Sequence, residues 1–532
     1  MNLIRRIDRD EDGQALVIVL SLVTFLFVLG SVLAVQASVA LRASAATGTE
    51  ASGLHAADAG AELGIWWQRQ SKAGNPPSIT VNGLSVSTTV SSTLTPISGA
   101  GWKQWGFNGR SLGASSEPGP TTSSSRWSPF PTVTQGATVS SPAVADDGYV
   151  YVGGANGLYA YAPDGSLAWS FLSASQSPQL GGFVGSPAIV TTGGGAKMII
   201  AATDGTATLA STLVGLTENA AKTGVSTTWS YSLGLGANIG FVGGPKVNAA
   251  GTRVYIAARN ANVYAFNATL SGSIAPLWTA AAGGAVTVST GLSTAEDRLY
   301  VGTSTGILRA YNTSTGAQNW TRTISAGSAL TAPAFATTLA QDHVFVGSGA
   351  NNRLYAIQDN GASSTADWNV NLAAAALGAP AVLIAGSQTF VFVATDAGVI
   401  RKIEDLGNSN AVRWTYTPVA SGIRSSLALD SANALYAGNE AGTLMRIADG
   451  GASASTAWSS ALALGAIRSA LAIGVDGDLY AVTAGNRLLA VGPAPAPAVV
   501  TVAATAGSTT VTTTYPSAGA GAPTLSTWTT TK

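Results

Sequence analysis

The chain has 532 residues, with 26 Lys plus Arg balanced by 26 Asp plus Glu, and only 10% of it is charged. A neutral chain lacks the clustered cations of a phosphate-driven nucleic-acid binder, so no nucleic-acid partner is expected. With no cysteine and two histidines, it has no disulfide framework, no thiolate nucleophile and no Cys-ligated zinc; its 63 glycines point to many turns between short strands.

In chain order, the first predicted element is a membrane anchor. Ala15 to Val35 carries no charge, and 15 of its 21 residues are Leu, Ile, Val or Phe. At about 1.5 Å per residue it matches a ~30 Å hydrocarbon core and exceeds the h-region of a cleaved signal. Arg5, Arg6 and Arg9 precede it, which places the N-terminus in the cytoplasm and the rest of the chain outside. The expectation is a single-pass protein of the cytoplasmic membrane. The helix is expected to continue through the Ala- and Ser-rich stretch to residue 70, interrupted by glycines. His55, Asp58 and Glu62 share one face of it and read as a solvated polar surface.

The run Gly13-Gln-Ala-Leu-Val-Ile-Val-Leu, the apolar stretch after it, and His55-Ala-Ala-Asp-Ala-Gly-Ala-Glu62 together resemble the N-terminus of PilX-type minor pilins. The resemblance implies a basic leader over 1–13, cleavage between Gly13 and Gln14, and other pilin subunits of a type IV pilus as partners. Gln14 and Ile18 depart from the Phe and Glu usual in major pilins. That departure fits a minor subunit better than a main one.

Residues 71–107 read as a small β head segment. Asn82-Gly83 makes a hairpin turn between Ser78 and Val90. Residues 108–125 are Gly-, Ser-, Pro- and Thr-rich and read as a linker.

From 126 to 492 the chain repeats. One unit runs Ser141-Pro-Ala-Val, Tyr149-Val-Tyr-Val-Gly, Gly157-Leu-Tyr-Ala-Tyr, and a strand ending at Trp169. Seven further openings follow the same order. Trp127, Trp169, Trp229, Trp278, Trp320, Trp368, Trp414 and Trp458 recur about every 47 residues, the spacing of four-stranded propeller blades. The eighth unit stops at Val491 without its tryptophan strand, and a lone strand at Trp127 opens the series. Pairing the two ends closes a ring without an open edge. The expected fold is mainly β: an eight-bladed β-propeller with four-stranded blades, closed by an N-terminal strand and preceded by a long N-terminal transmembrane helix. The eight tryptophans are assigned to packing between blades. In the first unit the valines should face one neighbouring blade and the tyrosines the other.

The stretch Ala310-Tyr-Asn-Thr-Ser-Thr-Gly316-Ala-Gln-Asn-Trp320 is similar to the blade-ending motif of PQQ-type quinoprotein propellers, with Asn312 where Asp is usual. The resemblance implies the fold. The dehydrogenases of that family add a quinone, a calcium ion, an Asp base and often paired cysteines. The cysteines are missing here. Asp164, Asp359, Asp405 and Asp449 sit where Asx turns explain them, and the acidic pairs Asp146-Asp147, Glu296-Asp297, Glu404-Asp405 and Asp476-Gly-Asp478 lack the further oxygen ligands of a calcium loop. His343 reads as a turn residue. No catalytic residue, cofactor or metal is therefore expected.

The tail, 493–532, begins Pro-Ala-Pro-Ala-Pro and continues with two Thr- and Val-rich runs. These either return to the hairpin and complete a pilin-like head sheet, or remain a Thr-rich extension. The functional expectation is a non-enzymatic, membrane-anchored minor-pilin-like subunit whose propeller binds a protein or surface ligand. The rivals are a membrane-anchored scaffold outside any pilus and, less favoured, a PQQ-dependent dehydrogenase.

Overall fold

The computed structural model describes residues 24, 48–69, 75–93, 99–136, 140–191, 196–492, 499–506, 509–516 and 527–531. The chain divides into two compact units, Met1–Thr95 with Ala496–Lys532, and Pro96–Pro495.

The first unit is a helix on a sheet. Gly48–Arg69 is a 22-residue helix. Its partner is a five-stranded antiparallel sheet in the order Ile79–Val81, Leu84–Thr93, Val499–Ala506, Thr509–Pro516, Thr527–Thr531. The tail thus returns to the hairpin, and Leu84–Thr93 pairs along its length with Val499–Ala506. Ala56, Ala57 and Ala61 pack on Val86, Ala504 and Ala506. Gly60 lies so close that an added Cβ would fall 2.4 Å from Val86 Cγ1, and the Thr88 hydroxyl donates to the Gly60 carbonyl at 3.0 Å. Small residues at successive turns flatten this helix face so that backbone and sheet can meet.

The expected long transmembrane helix is corrected by this arrangement. Among the described residues no helix is long and apolar enough to cross a membrane. Gly48–Arg69 carries Glu50, Asp58, Glu62 and Arg69 and spends its small-residue face on a sheet, not on lipid. The expected span 15–35, apart from Thr24, and the expected cleavage pair Gly13 and Gln14 lie outside the described residues.

The second unit is a ring of small antiparallel sheets. Blade one comprises Ala143–Val144, Val150–Gly154, Gly157–Tyr161 and Leu167–Leu172. Blade two runs from Phe183 to Leu235, and Gly272–Ser273 adds to its outer edge in parallel. Blade three spans Lys246–Ala281, blade four Gly291–Thr323, blade five Ala334–Asn371, blade six Ala381–Tyr416 and blade seven Ala428–Ala461. Blade eight has three strands of its own, Ala472–Ile473, Leu479–Val482 and Leu488–Val491.

The segment from 124 to 133 supplies the missing edge of blade eight. Arg126 N donates to the Ala490 carbonyl at 2.8 Å, Leu488 N to Pro131 at 3.0 Å, and Gly492 N to Ser124 at 2.9 Å. Seven apolar clusters bridge successive blades, and one of them joins blade eight to blade one. Alternation along the strands sorts the side chains. Val150 and Val152 belong to the cluster shared with blade eight, and Tyr151 to that shared with blade two. Val150–Gly154 of blade one is buried throughout, whereas the outermost strand of blade seven alternates in burial residue by residue, as one edge-facing surface requires.

Candidate functional site

Seven of the repeat tryptophans sit in the last strand that their own blade contributes, and Trp127 lies in the closing segment of blade eight. In six of the blades a β-bulge in the strand pairing falls beside the tryptophan: beside Trp169, Trp229, Trp320, Trp368, Trp414 and Trp458. A bulge turns the strand and re-aims the ring. In all but Trp458 the indole N–H then crosses to the next blade in ring order. Trp127 donates to the Pro163 carbonyl at 3.1 Å, Trp229 to Ala268 at 3.1 Å and Trp278 to Thr313 at 2.9 Å. Trp169 reaches Glu218 Oε1 at 2.8 Å. Trp320, Trp368 and Trp414 reach the carboxylates of Asp359, Asp405 and Asp449 at 2.8–2.9 Å. Trp458 donates to the Pro120 carbonyl at 3.1 Å.

Three of the aspartates expected at turns therefore do more than close a turn. Asp359, Asp405 and Asp449 each accept the backbone N–H two residues on. Each also takes the indole of the preceding blade, and its second oxygen takes another donor from that blade. The donors are Tyr300 at 2.6 Å, His343 at 2.6 Å and Lys402 at 2.6 Å. Asn312 keeps the turn role, accepting from Ser314 N and Thr315 N. Gly316, at φ +73, lies under the Trp278 ring, 2.6 Å from where a Cβ would stand. Only glycine suits both that backbone and that contact.

His343 is a buried strand residue, not a turn residue. Its Nδ1 meets Asp405 and its Nε2 meets Asp367 at 2.8 Å. Burial works against its protonation, but the two carboxylates outweigh burial and raise its pKa above the ordinary value.

The stretch expected as a linker is the largest departure from the sequence reading. Residues 101–117 run along the channel-facing edge of the innermost strands. Val144 N donates to the Trp102 carbonyl at 2.9 Å, Ile189 N to Lys103 at 2.7 Å, Leu292 N to Gly109 at 2.8 Å and Phe335 N to Arg110 at 3.0 Å. Val382 N donates to Leu112 at 2.7 Å and Leu429 N to Gly113 at 2.8 Å. In blade three the Gln104 side chain substitutes, its Oε1 accepting from Val247 N at 2.9 Å. This belt thereby satisfies seven inner strands in turn. Composition gave no hint of it, because the bonds come from backbone carbonyls, which every residue supplies. Its apolar anchors are the buried Trp102 and Leu112.

Lys246 holds the belt from below. It occupies the position where blades one, two, five, six, seven and eight carry alanine, and it is fully buried. Its ammonium donates to the Trp105 carbonyl at 2.6 Å and the Asn108 carbonyl at 3.1 Å. Burial without a carboxylate pushes its pKa down to about 7.

The belt leaves two openings. On one side a cavity of about 160 Å³ is lined by residues leading into the innermost strands, Ser141, Gly185, Ser289 and Ala332 among them, together with Trp105. An ion-pair ladder crosses three blades at its rim. Arg424 meets Asp396 at 2.7 Å and Glu440 at 3.8 Å, and Arg468 meets Glu440 at 2.6 Å. On the other side a cavity of about 550 Å³ lies between the belt and blades two to four.

Three of the four acidic pairs meet cations, and the fourth, Glu296-Asp297, leaves Glu296 without one among the described residues. Asp146 pairs with Lys103 at 2.5 Å, Asp147 with Lys197 and Lys222, and Glu404 with Arg413. Arg126 of the closing segment reaches Asp478 at 2.8 Å and Asp476 at 3.6 Å. Burial, then Asp476, pushes the Asp478 carboxyl up to about 8 against the pull of Arg126. Among the described residues no group of three or more His, Asp and Glu is placed to hold a metal ion.

A family model described as outer membrane protein assembly factor BamB, of PQQ type, matches residues 211–453. No curated protein matches the chain. Among solved structures the chain is similar to Sqt1 of Saccharomyces cerevisiae, at 12% identity and a TM-score of 0.52, over 70% of this chain and 100% of that one. It is also similar to the quinohemoprotein alcohol dehydrogenase of Comamonas testosteroni, at 12% identity and a TM-score of 0.51, over 83% and 84%. BamB of Moraxella catarrhalis aligns at 13% identity and a TM-score of 0.46, over 68% and 100%. At these identities the likeness shows the fold: a β-propeller with PQQ-type repeats. The residues that the family model matches include none of the pilin-like N-terminus.

Proposed function

We propose that this chain is a non-enzymatic binding protein in which a pilin-like head carries a propeller that engages another protein outside the cytoplasm. One observation carries the non-enzymatic part. Belt residues occupy the channel-facing edge of seven inner strands. A quinone seated on the channel axis would have to displace hydrogen bonds from most of the ring. What the propeller offers is the outer surface of a closed ring of blades. The family model, described as an outer membrane protein assembly factor, supports a protein-interaction role for such a ring.

The test is direct. Purified protein supplied with pyrroloquinoline quinone and calcium should reduce no dye with any alcohol or aldose offered. Substrate-dependent reduction would overturn the reading.

The head unit favours the pilin-like part. The His55–Glu62 segment that carries the resemblance lies in the helix, and its Ala56, Ala57, Gly60 and Ala61 meet the antiparallel sheet. Mass spectrometry of the mature protein should find Gln14 as a methylated N-terminus. A chain beginning at Met1 would instead favour a scaffold outside any pilus.

A further inference from the structure

The 550 Å³ cavity between the belt and blades two to four has a size that suits a small ligand. Most carboxylates of the propeller meet a cation. In this cavity a cation and a carboxylate pair neither with each other nor with another charge among the described residues. Arg110 is half-buried, and its guanidinium makes no ion pair among the described residues; burial alone lowers its pKa. Glu296, at φ +56 in a turn of blade four, is half-buried and has no cationic partner among the described residues. Its two oxygens accept only the Ala249 N–H, at 2.8 and 3.1 Å. Lys103, in the same wall, is already neutralised by Asp146.

The backbone around both groups is fixed. The carbonyls of Asn108, Gly109 and Arg110 are bonded to Lys246, Leu292 and Phe335. Gly109 lies against Glu296, whose Oε1 is 3.4 Å from where a Cβ would stand. Phe107 adds an apolar wall and is itself held edge-on by Trp102, with ring centroids 5.4 Å apart.

A plain anion would meet Arg110 but face the Glu296 carboxylate, and a plain cation would meet the reverse. We infer that this cavity binds a small zwitterion of dipeptide size, its carboxylate on Arg110, its ammonium on Glu296 and an apolar side chain against Phe107. This inference does not depend on the proposed protein-binding role, and its test reads a different ligand.

The probe is the dipeptide Ala-Phe, titrated calorimetrically into the full chain and compared with its N-acetylated and C-amidated forms. Saturable binding of Ala-Phe is expected, weakened about tenfold or more by either cap, because each cap strands one charge in the cavity. Arg110→Gln should abolish the preference for a free carboxylate while keeping that for a free amine, and Glu296→Gln should do the opposite. Equal binding of capped and uncapped forms, or no saturable binding of Ala-Phe to the wild-type chain in the millimolar range, would overturn the inference. That comparison needs no variant to fold.

Discussion

At the residue scale, the carboxylate of Asp405 shows how the ring is fastened. It accepts the Trp368 indole and His343 from blade five while closing its own turn at Gly407. Asp405→Ala would leave two buried side-chain donors without a partner. It should cost about 3–5 kcal/mol, read as a lower urea midpoint. His343 and Lys246 give opposite pH signatures. The folded pKa of His343 is raised, so its contribution is complete below about pH 6.5 and fades as pH rises through the folded value. Lys246 has a folded value of about 7 against an ordinary 10.5. Between those values the unfolded chain binds more protons, so stability from this group rises with pH. Urea unfolding across pH 5 to 10 should lose the falling component in His343→Gln and the rising one in Lys246→Met. Gly60 is a third sensitive position, because its missing Cβ lets the helix reach Val86. Gly60→Val should destabilise the head by about 1–3 kcal/mol through overpacking, read as a lower midpoint in an unfolding experiment that follows the helix.

At the scale of elements, the belt makes its own prediction. Amide exchange at Val144, Ile189, Leu292, Phe335, Val382 and Leu429 should be slow, since each is bonded to the belt. Replacing 101–117 by a Gly/Ser stretch of equal length removes the Trp102 and Leu112 anchors that hold the carbonyls in place, and should release those amides while leaving the middle strands of each blade protected. The same element marks the limit of sequence reading. The blades were legible because Trp, Gly and the Ser-Pro-Ala openings recur as side-chain patterns. The closing strand was legible from the unpaired tryptophan at 127. The belt was not, because a run of carbonyls leaves no pattern and its Gly and Ser content imitates a spacer. The bulges beside the tryptophans were hidden for a similar reason: one extra backbone residue does not change the order of residue types. The acceptor role of Asp359, Asp405 and Asp449 was half visible. Their turn function follows from local sequence, and their indole partners sit 35–39 residues earlier, in the preceding blade. The charge pair in the larger cavity joins residues far apart in sequence, 110 and 296, which only the ring brings to one wall.

For the whole molecule, the expected membrane-crossing helix gave way to a described helix committed to a sheet, while the repeat became a closed ring. Its closing hydrogen bonds all come from residues between 96 and 495. That stretch produced alone should therefore retain the β-sheet circular dichroism and a cooperative melt, and Trp127→Ala in it should lower stability by about 3–5 kcal/mol by emptying the seam between blades eight and one. The two strands that flank the ring have a further consequence for synthesis. Thr93 and Val499 are direct partners in the head sheet, yet about 400 residues are made between them. At about 5–20 residues per second, the helix and its first hairpin emerge some tens of seconds before the strand that completes their sheet. Through that interval the small-residue face of the helix has no finished partner, while every residue of the ring is made. The order of synthesis is thus written into the pairing of one ladder, with the inserted ring complete in sequence before the strand that finishes its carrier.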